Sequence, residues 1–181
     1  MYGIMFTPRP GVVATELLRV TKPGGRIALA NWTPTGFIGQ LFDVFKRHVP
    51  PPPGLPSPML WSAEDVVRQR LAAGTREIRF ARRIAHLRFP FAPAGTVEFF
   101  RQYYGPTQRA FASLSPESRA ALRADLDNHQ SRHNVSTRSD ETDNPAEYLE
   151  VCARRAHVPA LAPAADETVG RAMALAEDFG C

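Results

Sequence analysis

Leu122, Leu126, His129 and His133 recur at helical spacing along one stripe, and Asp125 stands four residues ahead of His129. Two imidazoles thus continue an apolar face. They could remove a proton from an acceptor hydroxyl or serve as two ligands of a metal. Alternatively, the stripe simply runs out into solvent at the helix end. His-x-x-x-His without a third ligand nearby is a poor metal signature, so no metal is expected. A second group is aromatic: Phe99, Phe100, Tyr103 and Tyr104 could wall an apolar acceptor pocket, and packing between helices accounts for them equally well. His86 sits among arginines and reads as structural or exposed.

These side chains need a scaffold, and its key stretch runs from Thr21 to Trp32. Pro23 presets the second position of a turn, and Gly24 can take the positive φ that a type II turn requires next. Ile27 to Ala30 has no polar interruption, as expected of a strand covered on both faces. Asn31 and Trp32 fall at its carboxyl end, where open α/β sheets place ligands.

The helix ending Glu16-Leu17-Leu18-Arg19-Val20, the turn Lys22-Pro23-Gly24-Gly25-Arg26 and the apolar strand after it resemble a passage of class I S-adenosylmethionine-dependent methyltransferases. The passage is the one from the fourth helix to the fifth strand. Ala30-Asn31-Trp32-Thr33-Pro34 with Gly36-Phe37-Ile38-Gly39 is similar to the small-molecule branch near the ubiquinone and menaquinone methyltransferases. The resemblance implies an α/β fold, the carboxyl-terminal half of a Rossmann-like sheet, with a helical cap inserted between the sixth and seventh strands. It implies a partial methyltransferase domain over residues 1–155, with the cap at about 90–146. Residues Tyr2, Gly3, Met5 and Phe6 would line the cofactor pocket; a short terminal strand or a plug against the core is the other reading. Trp32 would floor the acceptor pocket, with Phe99, Tyr103 and Tyr104 above it. The cofactor would be S-adenosylmethionine and the acceptor a small molecule. That family holds its cofactor through a glycine-rich loop after the first strand, and no Gly-x-Gly-x-Gly occurs in these residues. Activity is therefore expected to need another stretch of polypeptide. The fifth strand, which the family places between the fourth and seventh, would be left with an open edge inviting a second copy.

The rest of the chain reads in order. Thr7-Pro8 predicts a helix start, with the helix running to about Val20. Gly36 to His48 predicts another helix, weakened by Gly39. The proline run of residues 49–58 reads as extended polyproline II, and Ser62 as the N-cap of a helix ending at Gly74. Arg76 to Phe89 switches apolar parity midway, which predicts a strand bulged near Ala81 to Arg83. Helices follow from Ala94 to about Asn134, broken at Gly105-Pro106 and restarted at Ser115-Pro116. Residues 135–146 read as loop, and Tyr148 to Ala153 as a last strand. Residues 156–166 read as an Ala/Pro linker, and Thr168 to Phe179 as a short amphipathic helix or tail.

The 181 residues, with 44% hydrophobic and 22% charged, are those of an ordinary globular chain. A net charge of +4 is spread along the sequence, with arginines beside acids, so no nucleic-acid arm is expected. The two cysteines, Cys152 and Cys181, make no disulfide framework, which suits a reducing cytoplasm. No apolar run approaches membrane-spanning length, so no membrane partner is expected.

Overall fold

The computed structural model describes residues 2–157; the expected linker and terminal helix lie almost wholly outside them. A 3₁₀ turn, Tyr2–Phe6, precedes α1 (Pro10–Val20), β1 (Arg26–Trp32) and α2 (Phe37–His48). A second 3₁₀ turn, Pro58–Ser62, leads into α3 (Glu64–Leu71) and then β2 (Thr75–Phe89). The helices α4 (Pro93–Tyr103), α5 (Gly105–Ser113) and α6 (Pro116–His133) come next, followed by β3 (Thr142–Arg155). The three strands form one sheet in the order β1-β3-β2, with β3 antiparallel to both neighbours. The first strand thus lies beside the last, as the resemblance implies for the fifth and seventh.

The turn into β1 forms as its residues dictate. Gly24 has φ +73°, and the Gly25 amide donates to the Lys22 carbonyl at 2.8 Å. The expectation that β1 is covered on both faces needs correcting. Ile27 and Leu29 are buried, but Arg26 and Ala28 are exposed, because among the described residues no layer covers their face at this end.

The parity switch in β2 is not a bulge at residues 81–83. Pairing with β3 is continuous from Glu77 to Phe89, and the only register shift lies between Thr75 and Glu77. The strand instead changes which face is covered. Ile78 and Phe80 pack with Leu149, Val151, Ala153, Ile27 and Leu29 against α1 and α3. Leu87 and Phe89 lie on the opposite face, with Ala146, against α2 and the helices α4–α6. A long strand serving two cores on opposite faces must shift its apolar residues by one position.

Other boundaries move for identifiable reasons. The helix expected at Pro8 starts at Pro10, because a residue before proline is pushed out of the α region; Arg9 has φ −124° and ψ 74°. Thr7 instead donates its hydroxyl to Ile4 O at 3.0 Å. Ser62 is not an N-cap: its hydroxyl donates to Met59 O at 2.7 Å, and Ala63 precedes α3. Residues 142–146, expected as loop, belong to β3. Pro145 is tolerated there because β1 stops opposite Tyr148, leaving β3 with β2 as its sole strand partner. Ser115 caps α6 as expected, accepting from the Ser118 amide at 3.3 Å. On the edge strand β2, Arg79, Arg82, Arg83 and Arg88 pair with Glu77, Glu147, Glu150 and Asp143.

Candidate functional site at the carboxyl end of β1

The apolar run of β1 carries Asn31 into the interior, where its side chain is fully buried. Neither Oδ1 nor Nδ2 has a hydrogen-bond partner among the described residues. A buried amide left in that state costs about 1–3 kcal/mol. Such groups are rare in native chains and need a reason. Next to it, the Trp32 amide donates to Met5 Sδ at 3.2 Å, which ties the amino-terminal 3₁₀ turn to the edge of β1. Tyr2 stacks on Trp32 with ring centroids 4.1 Å apart, and Tyr148 stands edge-on to both. Burial, reinforced by Tyr148, raises the Tyr2 phenol above its ordinary range. The neighbouring Thr33 is also fully buried; its hydroxyl donates to Glu147 Oε1 at 2.8 Å, and Arg82 donates to the same oxygen. The strand end is therefore a group of aromatic faces beside an unpaired amide and a neutralised carboxylate.

The expected pocket residues separate. Tyr2 and Met5 reach Trp32, as just described. Phe6 turns to Phe42 at 5.9 Å, and Gly3 is exposed with open space around its Cα. The segment is a 3₁₀ turn rather than a strand. Phe99, Tyr103 and Tyr104 join the aromatic cluster around Phe89, Phe91 and Phe100, and none of them forms a ring contact with Trp32. Burial pushes the Tyr104 phenol up to about 12.

The histidine stripe does not run out into solvent at His129, which is 1% exposed. Its Nε2–H donates to Phe37 O at 3.1 Å, and the ring stacks on Phe37. Among the described residues its buried Nδ1 lone pair has no partner. Burial first, and then His133, lowers its pKa to about 4, so it is neutral at pH 7. His133 is half-buried, donates Nδ1–H to His129 O at 2.9 Å and meets Phe37 edge-on. The two imidazoles thus brace α6 against the first turn of α2, one helix start away from Trp32. Among the described residues no cluster of three or more His, Cys, Asp or Glu side chains could hold a metal. No helix there is long and apolar enough to cross a membrane.

Three features were not legible beforehand: the unpartnered amide of Asn31, the Met5 sulfur on the Trp32 amide, and the Thr33–Glu147–Arg82 group. Asn31 was placed correctly at the strand end, but only packing reveals that its amide is unsatisfied.

No family model matches the chain. An uncharacterized protein of Mycobacterium tuberculosis H37Rv is 35% identical over 127 residues, covering 68% of this chain and 46% of that protein. A second uncharacterized protein of that strain is 35% identical over 127 residues, 69% of this chain and 45% of that protein. An uncharacterized protein of Mycobacterium bovis shows 35% identity over 127 residues and the same 46% share. Among solved structures, that of a candidate methyltransferase from Bacillus halodurans C-125 matches with a TM-score of 0.45 and 16% identity, covering 86% of this chain and 67% of that one. That likeness is too loose to carry fold or function by itself. The chain spans about half the length of the curated relatives it matches.

Proposed function

We propose that this chain carries the acceptor-binding, carboxyl-terminal half of an S-adenosylmethionine-dependent methyltransferase acting on a small, apolar or aromatic molecule. Further polypeptide completes the cofactor pocket. The observation that carries this reading is Asn31, a fully buried amide with both polar atoms unpaired at the ligand-binding end of an α/β sheet strand. The Lys22 to Trp32 passage and the placing of β1 beside β3 support it.

The residues present fit such a ligand in part. Asn31 offers the two N–H donors of Nδ2 and the Oδ1 acceptor, and the faces of Tyr2 and Trp32 suit a positively charged sulfur. A glycine-rich cofactor loop is not found in the sequence. When bound, the cofactor supplies an electrophilic methyl carbon, which bonds to the acceptor's lone pair as the carbon–sulfur bond breaks to leave a neutral thioether. The protein's part is to align the acceptor and keep water away. Where the acceptor must lose a proton, His133 is the better placed of the two imidazoles, because only it reaches solvent.

Calorimetry tests this. The chain alone is expected to show no micromolar affinity for S-adenosylmethionine; mixed with the part of the M. tuberculosis relative outside the matched region, it is expected to bind and to transfer a labelled methyl group. Absence of binding in the mixture, with both parts folded, overturns the reading. Asn31→Leu gives a second check. It removes the unpaired amide, so the chain alone gains about 1 kcal/mol or more in urea unfolding, while cofactor binding by the mixture is lost. A loss of stability in Asn31→Leu would mean the amide is satisfied in solution.

A second reading, a non-catalytic dimerising module, is favoured by the outer edge of β1. The Thr33 amide bonds back to Glu147 O, so the alternating ladder turns the amides of Ala28 and Ala30 away from β3. On that side only the Trp32 amide has a partner among the described residues. Sedimentation equilibrium decides: a monomer at the highest soluble concentration excludes this reading.

A further inference from the structure

Trp32 and Tyr148 are direct cross-strand partners where β1 ends, so both side chains stand on one face of the sheet. Their rings meet at 86° with centroids 6.2 Å apart, which makes a corner. A third ring fills that corner. Tyr2 lies on the Trp32 face at 4.1 Å, only 10° from parallel, and is edge-on to Tyr148 at 5.8 Å. At that separation the two stacked rings are in contact, so nothing fits between them. This face of Trp32 is therefore open to another molecule only when Tyr2 leaves it.

Tyr2 is held by its ring contacts; its phenol hydrogen-bonds to none of the described residues. The anchors of its segment lie further along. Ile4 and Met5 are buried, Met5 Sδ accepts from the Trp32 amide, and Thr7 bonds back to Ile4 O. Between these anchors and Tyr2 stands Gly3, exposed, with open space where a Cβ would lie. Torsion at Gly3 can swing Tyr2 off Trp32 while Ile4 and Met5 stay in place.

We infer that Tyr2 is an autoinhibitory occupant: it closes the Trp32 face, and a planar ring that binds there must displace it. The apparent affinity for such a ring is the intrinsic affinity reduced by the fraction of molecules in which Tyr2 is withdrawn. The occupant also shows what the corner accepts, a single uncharged ring with a polar group opposite its point of attachment. The inference deepens the reading above by giving its site a gate, and rests on it only in assigning the Trp32 corner to the acceptor. Ring binding and withdrawal of Tyr2 need no cofactor, so they are measured in the chain alone, whether or not methyl transfer occurs.

The probe is p-cresol, the tyrosine side chain without its backbone, titrated into the full chain and followed by nuclear magnetic resonance. The indole N–H of Trp32 reports the corner, and that of Trp61, which is 1% exposed, reports an intact core. In the unaltered chain the Trp32 signal is expected to shift saturably, with the Tyr2 ring signals moving towards those of free tyrosine. Tyr2→Ala is expected to bind about tenfold or more tightly. Trp32→Leu in that background should abolish binding and leave the Trp61 signal in place. Equal affinity of Tyr2→Ala and the unaltered chain overturns the inference. Binding to Tyr2→Ala with none to the unaltered chain also overturns it, because Tyr2 would then be a fixed wall. So does equal binding of the non-planar analogue methylcyclohexanol, which would show an apolar hole rather than a seat for a ring. If Tyr2→Ala disturbs the Trp61 signal, Tyr2→Leu keeps apolar cover without stacking and is read in the same way.

Discussion

Gly39→Ala costs the fold about 3 kcal/mol, against a helix propensity that by itself favours alanine by about 1 kcal/mol. Gly39 sits in the first turn of α2, where the helix packs directly on the chain leaving β1. A Cβ there would lie 2.5 Å from the Pro34 carbonyl carbon and overlap the carbonyl oxygens of Thr33 and Pro34. Those are backbone atoms, and they cannot swing aside as a side chain would. Thr33 is itself fully buried and pinned to Glu147, so the strain passes into the strand end that carries Asn31 and Trp32. Urea unfolding followed by circular dichroism is the measurement. A midpoint equal to or above that of the unaltered protein would show that α2 can lift off residues 33–34 at little cost.

Acid loosens the protein before its carboxylates protonate. Burial holds His129 at about 4, whereas an unfolded histidine titrates near 6.5. The unfolded chain therefore binds this proton first. The stabilising effect of a neutral, buried His129 is complete above about pH 6.5 and is lost as pH falls towards about 4, to the extent of about 3 kcal/mol. Asp125, held below its usual range chiefly by the hydrogen bond from His48, adds its loss only further down. The readout is the slope of unfolding free energy against pH across that window. His129→Phe keeps a ring against Phe37 and should flatten the slope, whatever it does to stability at neutral pH. An unchanged slope in that variant would assign the titration to another group.

Local chemistry fixed much of this protein in advance. Lys22-Pro23-Gly24-Gly25 can close only as a tight turn with Gly24 at positive φ, so the start of β1 was readable. The proline at the first position of α6 and the serine before it marked that helix, and the apolar spacing of Phe37, Leu41, Val44 and Phe45 marked α2. In each case the determining contacts lie within a few residues, and spacing records them directly.

What packing decided lies beyond that range. The parity change in β2 looked like a bulge because a single strand cannot show that its two halves face different cores. Gly39 looked like a weak helix residue because spacing alone does not show that the chain at residues 33–34, close by in sequence, folds back against it. His129 looked like the end of an apolar stripe, and its burial depends on Phe37, far away in the chain. Whether the amide of Asn31 is satisfied depends on every group packed around it, and a satisfied and an orphaned asparagine are written with the same letter. The sequence by itself determined turns, caps and helix faces, because their energies are local. Only the tertiary structure decided which polar atoms are left wanting a partner, because that is settled by the sum of contacts across the whole core.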